Sequence, residues 1–172
     1  MAEIERKWRL ERLPPNINTA NSLVSRIHQG YILDGEFELR LRKEVSCSVV
    51  KHRTLAVKSS GGLSREEWTI ETPEWVFDGL WSNIKSSLVK IRYTVPSLDN
   101  VFEFDVYQEK LEGLFIVECE FESEKEAEVF TVPDWFGLAV DVTKDQRYKN
   151  KNLANLASQD FNVLEIMKIL KG

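Results

Sequence analysis

Charged and apolar residues alternate in one stretch of this chain after another. In "FELRLR" Glu38, Arg40 and Arg42 alternate with Phe37, Leu39 and Leu41, and in "VKIRY" Lys90 and Arg92 alternate with Val89, Ile91 and Tyr93. "FEFDVY" sets Glu103 and Asp105 between Phe102, Phe104 and Val106, while "VECEFE" sets Glu118, Glu120 and Glu122 against Val117, Cys119 and Phe121. The first residues follow the same rule: Glu3, Glu5 and Lys7 are separated by Ile4 and Arg6. "LAVK" adds Lys58, and "SREEW" adds Arg65 and Glu67 on one side with Glu66 and Trp68 on the other. Successive side chains of a strand point to opposite faces, so each segment predicts a strand with one charged and one apolar face.

Helical periodicity is confined to short stretches. Thr19 precedes Leu23, Val24 and Ile27; Thr72-Pro73 precedes "EWVFDGLW"; Ser123 and Glu126 have capping-box spacing ahead of Ala127 and Phe130. In the tail "SQDFNVLEIMKILKG", Phe161, Leu164, Met167 and Leu170 recur at helical spacing, and Lys168 and Lys171 suit the C-terminal end of the helix dipole. With no repeat, linker or low-complexity segment in 172 residues, one domain is expected over 1–172, with residues 161–172 a helical extension. That extension either packs on the domain or joins two copies, leaving monomer and homodimer both open.

The distribution of charge sign changes the picture. A sheet face that merely meets water usually mixes signs and includes uncharged polar residues, yet here Glu and Asp concentrate in some strands and Arg and Lys in others. A sheet curled into a barrel, its apolar side covered by helices, would turn the charged rows inward. Carboxylates there suit divalent metal, and Arg and Lys suit phosphate. A net charge of −5 offers no footprint for nucleic acid, so any anionic ligand is small and locally captured. No apolar run reaches membrane-spanning length, and the charged first residues do not read as a signal peptide. Cys47 and Cys119 fit a reducing cytoplasm, without a zinc or nucleophile pattern.

At the head of these rows, "EIERKW" resembles the N-terminal ExExK signature of the CYTH, or triphosphate tunnel metalloenzyme, superfamily. "QGYIL", "ELRLR", "LAVKSSGGLSREEW", "VKIRY", "EFDVY", "VECEF", "PDWFG" and "DQRYKNKNLA" follow in the matching order, from residue 3 to about residue 154. The resemblance implies an α+β fold: an eight-stranded antiparallel β-barrel with a charged lumen, both ends accessible, and flanking helices. It also implies metal-dependent hydrolysis of a triphosphate with Mg²⁺ or Mn²⁺, inorganic triphosphate being favoured because the chain is most similar to the short bacterial inorganic triphosphatases. A class IV type adenylate cyclase, a nucleoside or thiamine triphosphatase and a non-catalytic polyphosphate-binding protein remain alternatives.

Carried across residue by residue, the resemblance assigns Glu3, Glu5, Glu67, Asp105, Glu118 and Glu120 to metal binding, with Glu103 on the same acidic row. It assigns Lys7, Arg40, Arg42, Lys58 and Arg92 to the phosphates, with Arg65 an addition. Thr69 stands where many relatives carry a second acidic residue, which weakens a second metal site or leaves Thr69 to contact a metal-bound water. Lys90, two residues from Arg92 on one face, is expected to have a lowered pKa; it is either the general base, oriented by Tyr31, or a phosphate clamp. Glu38, Glu66 and Glu122 are expected at the rim or in solvent. Trp75, Phe77, Leu80, Trp81, Trp135 and Phe136 are expected to pack in the core, and Lys149, Asn150 and Lys151 to lie at one mouth of the tunnel.

Overall fold

A computed structural model describes residues 4–15, 17, 22–34, 37–59, 67–97 and 100–172. Nine strands form a single antiparallel sheet: β1 (Ile4–Leu10), β2 (Leu23–Asp34), β3 (Phe37–Ser46), β4 (Val49–Ser59), β5 (Glu67–Glu71), β6 (Ser86–Ser97), β7 (Asn100–Tyr107), β8 (Phe115–Phe121) and β9 (Ala139–Asp141). Their spatial order is β5-β4-β3-β2-β6-β7-β8-β1-β9. The expected eight strands are joined by the three-residue β9, which pairs with β1 through Trp8 and Asp141. Among the described residues no ladder joins β5 to the opposite edge; residues of β1 to β8 nonetheless line one cavity, so the sheet is strongly curled.

The registers carry the charged rows to one face. Glu5 lies opposite Glu120 and Lys7 opposite Glu118. Glu118 lies opposite Glu103, Asp105 opposite Arg92, and Tyr107 opposite Lys90. Across the other half, Gln29 faces Arg42, Tyr31 faces Arg40, Glu38 faces Lys58, and Lys58 faces Glu67. Directly opposed residues share a face of the pleat. Every charged row predicted from alternation that falls on described residues is therefore on the inner surface.

The outer surface carries an aromatic core. Trp8, Phe102, Phe104, Val117 and Cys119 are buried there with Phe136, under α2 (Glu124–Val129) and the turn of 3₁₀ helix at Asp134–Phe136. Phe102 meets Phe104, Phe130, Trp135 and Phe136 with ring centroids 5.1–6.4 Å apart. Ser123 caps α2 by accepting from the Glu126 N–H, but Glu126 returns its bond to the Glu122 N–H, one residue before the expected partner.

Three helical expectations need correction. Leu23, Val24 and Ile27 lie in strand β2; pairing with both β3 and β6 satisfies its backbone on both sides, and this overrides a weak helical spacing. Thr19 lies outside the described residues. On α1 (Glu74–Trp81) Phe77 is buried and stacks on Trp81, but Trp75 is 78% exposed because it falls on the opposite side of the helix. The tail forms α4 (Val163–Lys171), starting with a full capping box between Asn162 and Glu165, and buries Ile166 and Leu170 while Leu164 stays exposed. A stripe repeating every three residues slips around a 3.6-residue helix, whereas the i, i+4 pair stays on one side.

Behind α4 lies α3 (Asn150–Ala157), a helix the sequence reading did not separate out. Its Leu153 and Ala154 join Ile166 and Leu170 of α4 in a cluster with Tyr31, Leu88, Tyr107 and Ile116 of the inner sheet face. One end of the concave surface is therefore filled by packed helices, in contrast to the tunnel open at both ends. Gly30 stands where the Ile84 side chain presses against β2; an added Cβ would lie 2.5 Å from Ile84 Cδ1.

Candidate active site

The inner face encloses a cavity of about 540 Å³ to which each of strands β1 to β8 contributes. Lys7, Arg40, Arg42, Lys58 and Arg92 line it from four different strands, joined by Lys149 and Lys151 from the start of α3. Glu5, Glu103, Glu118 and Glu120 line it on the β1, β7 and β8 side, and Glu38 and Glu67 on the β3 and β5 side. Glu3 and Arg65, expected to contribute to the site, lie outside the described residues, as does Glu66.

Arg92 is the hub of the acidic side. Its Nε donates to Asp105 Oδ1 at 2.7 Å, and its Nη2 donates to Asp105 Oδ2 at 2.6 Å and to Glu118 Oε2 at 2.7 Å, while Nη1 pairs with Glu103. Lys7 reaches Glu118 at 2.7 Å and Glu5 at 3.7 Å. Burial alone would push the Glu118 carboxyl up; Lys7, Lys90 and Arg92 outweigh it and hold the group well below the usual carboxylate range. Burial likewise pulls Lys7 down, but Glu118 and Glu5 leave it above its ordinary value.

On the opposite side Glu67 pairs with Lys58 and accepts from Arg40 at 3.1 Å. Burial raises its pKa less than Lys58 and Arg40 lower it. Thr69 donates to the same Glu67 carboxylate at 3.1 Å. Glu67 thus stands among the basic side chains of β3 and β4, apart from the β1, β7 and β8 carboxylates.

Lys90 and Asp105 are fully buried beneath this cavity and neither lines it. The Lys90 ammonium donates to Asp105 at 2.5 Å and lies 5.6 Å from the centroid of Tyr107. Its pKa is lowered to about 8, first by burial and then by Arg92, which exceed the opposing pull of Asp105 and Glu118. The direction matches the sequence expectation, but burial leads and the neighbouring cation comes second. Tyr31 does line the cavity, and its hydroxyl accepts from Gln29 Nε2 at 2.5 Å.

The site also contains residues that sequence reasoning set aside or passed over. Glu38 is 8% exposed and lines the cavity, a correction to its expected place at the rim: it alternates with Arg40 and Arg42 along β3, which puts it on the inner face opposite Lys58. Glu122 lines the cavity too. Gln29, fully buried, accepts from Arg42 Nε at 2.8 Å. Asn150, at the start of α3, accepts from the Tyr107 hydroxyl at 2.6 Å. Lys149, Asn150 and Lys151 take the expected place beside the cavity.

The donor set suits a hard divalent cation. Every acidic group here offers oxygen only, and Glu5 faces Glu120 directly across the β1/β8 ladder, a like-charge pair that a cation would relieve. Among the described residues no three Asp, Glu, His or Cys side chains are gathered at one point.

A curled antiparallel sheet whose inner face opposes cations to carboxylates defines a protein of the triphosphate-tunnel class. No family model matches the chain. It is 39% identical over 158 residues to an inorganic triphosphatase of Nitrosomonas europaea, the match covering 90% of this chain and 97% of the relative. A solved inorganic triphosphatase structure aligns with a TM-score of 0.65 at 34% identity, covering 90% of this chain and 95% of the other. A putative adenylyl cyclase from Hippeastrum, described as having a dominant triphosphatase activity, shares the fold with a TM-score of 0.58 at 15% identity, over 73% of this chain and 82% of its own. The chain belongs to the inorganic triphosphatase family of the CYTH, or triphosphate tunnel, superfamily.

Proposed function

We propose that the protein hydrolyses inorganic triphosphate to pyrophosphate and phosphate with Mg²⁺ or Mn²⁺. The observation that carries this reading is the convergence of Lys7, Arg40, Arg42, Lys58 and Arg92 on one cavity beside Glu5, Glu118 and Glu120. Phosphoryl transfer is mainly a matter of positioning and charge neutralisation, and side chains fixed on strands supply both without reorganising. Arg40, Arg42 and Lys58 hold one part of the polyanion, with Glu67 fixing Arg40 and Lys58; Arg92 and Lys7 neutralise the part nearest the acidic side. Glu5 and Glu120, with Glu118 and Glu103, hold the divalent ion, which draws charge from the phosphate oxygens when bound. Asp105 orients Arg92 and Lys90. Lys90, its pKa lowered to about 8 but its amine held on Asp105 beneath the cavity, is the candidate acceptor for the proton of the attacking water. That role requires it to turn from Asp105 toward the cavity once substrate is bound.

A net charge of −5 and a cavity lined by both signs support a small captured anion, with neither nucleic acid nor membrane as partner. No described helix is long and apolar enough to cross a membrane. Two free cysteines, Cys119 of them buried, accord with work in the cytoplasm. The test is phosphate release from inorganic triphosphate, ATP, thiamine triphosphate and pyrophosphate, with and without Mg²⁺ or Mn²⁺, beside an assay for cyclic AMP. Inorganic triphosphate should be cleaved fastest and a chelator should abolish turnover. Cyclic AMP formation, or metal-independent binding without cleavage, would overturn the reading.

A further inference from the structure

Gln29 belongs to none of the charged rows, yet it is fully buried and joins two groups that line the cavity. Arg42 Nε donates to its Oε1 at 2.8 Å, and its Nε2 donates to the Tyr31 hydroxyl at 2.5 Å. A guanidinium can only donate, so Arg42 fixes which end of the amide carries oxygen, and the amide nitrogen is left to face Tyr31. The phenol then accepts from Gln29, and its own single proton has to go to a different acceptor. Tyr31 opens on the cavity, and burial, with the nearby Glu38 charge, raises its pKa above the ordinary value, so the proton stays in place at working pH.

We propose that Gln29 is a positioning residue for triphosphate cleavage: it locks the Arg42 guanidinium against the cavity and directs the Tyr31 hydroxyl proton toward the bound anion. The buried amide thus couples a permanent charge to a neutral hydrogen-bond donor. This rests on the triphosphatase reading, but the geometry predicts two separable losses. Gln29→Glu keeps an acceptor for Arg42 and removes the donor to Tyr31, so the phenol gives its proton to the introduced carboxylate. Gln29→Met removes both bonds.

The experiment compares wild type, Gln29→Glu, Gln29→Met, Tyr31→Phe and Gln29→Glu/Tyr31→Phe by steady-state phosphate release, and by calorimetric binding of inorganic triphosphate, with folding checked by circular dichroism and Tm. Gln29→Glu should lower kcat about tenfold, leave KM within about twofold, and add nothing further in the Tyr31→Phe background. Gln29→Met should also weaken triphosphate binding about tenfold, through the loosened Arg42. Variants that lose thermal stability but keep wild-type kcat, KM and affinity would overturn the proposal, as would a double variant whose losses simply multiply. If wild type binds triphosphate without cleaving it, the triphosphatase reading fails alone: the same split in binding, Gln29→Met weakened and Gln29→Glu not, upholds the positioning role, and equal affinities refute it.

Discussion

The two faces of β7 place adjacent residues in opposite environments. Phe102 and Phe104 point outward into a ring of aromatic contacts and are 1–2% exposed. Glu103 and Asp105 point inward to Arg92, which also holds Glu118. The outer face gains free energy by leaving water, at about 25 cal/mol for each Å² of apolar surface buried. The inner face loses hydration, and its ion pairs only partly repay that cost. A sheet needs the first face to fold; the second is retained for what it can hold. Stability and chemistry are therefore divided by the pleat of one sheet, and each can be perturbed separately.

The largest expected effect is on the outer face. Phe102→Ala should destabilise the fold by about 3–5 kcal/mol, read from denaturant unfolding, while activity per folded molecule stays near wild type. A matching loss of kcat at temperatures where the variant is fully folded would break the division. Next, Arg92→Ala should cut kcat/KM by about a hundredfold or more, because it removes a fixed cation from the substrate and takes from Asp105 and Glu118 a cation that both share. Its residual activity should respond less to added salt than that of wild type.

The pH dependence sharpens the inner side. Because Lys90 has a pKa near 8, the neutral amine becomes more abundant as pH rises through that value, and kcat should climb with it. Lys90→Ala should flatten the rise and change KM little; a collapse in triphosphate affinity with the profile intact would make Lys90 a clamp instead. Glu118 sets the acid limb. Its folded pKa lies below the ordinary 4.5, so its ion pairs contribute stability that is complete above that value and is lost as pH falls through the folded pKa. Tm should fall on acidification below about pH 4.5, and Glu118→Gln should show a shallower fall. The smallest effect belongs to the exposed outer surface: Trp75→Ser should change stability by no more than about 0.5 kcal/mol.

What the sequence made legible follows from the same division. A period-two row of like charges has one structural meaning, and the rows at Arg40/Arg42, Lys90/Arg92, Glu103/Asp105 and Glu118/Glu120 all share the inner face. Glu38 belongs to such a row with Arg40 and Arg42, and that alternation is a better guide to its place than the rim position expected of it. Gln29 carries no charge, and its importance comes from partners two residues away and on another strand, which spacing alone does not reveal. The β2 segment read as helical because Leu23, Val24 and Ile27 can form a stripe; two flanking strands decided otherwise. For α3, Leu153 and Ala154 give too short an apolar pattern to stand out before the sheet end that they cover is known.

The inner face, and no other surface, should hold the polyanion and its metal. Crystals soaked with inorganic triphosphate and Mn²⁺ test it most directly, because Mn²⁺ gives an anomalous signal that locates it independently of the phosphates. Triphosphate density is expected against Arg40, Arg42, Lys58 and Arg92, with the Mn²⁺ peak between that density and the Glu5 and Glu120 carboxylates. Mn²⁺ and triphosphate bound on the outer surface or apart from each other, with the cavity holding neither, would contradict it.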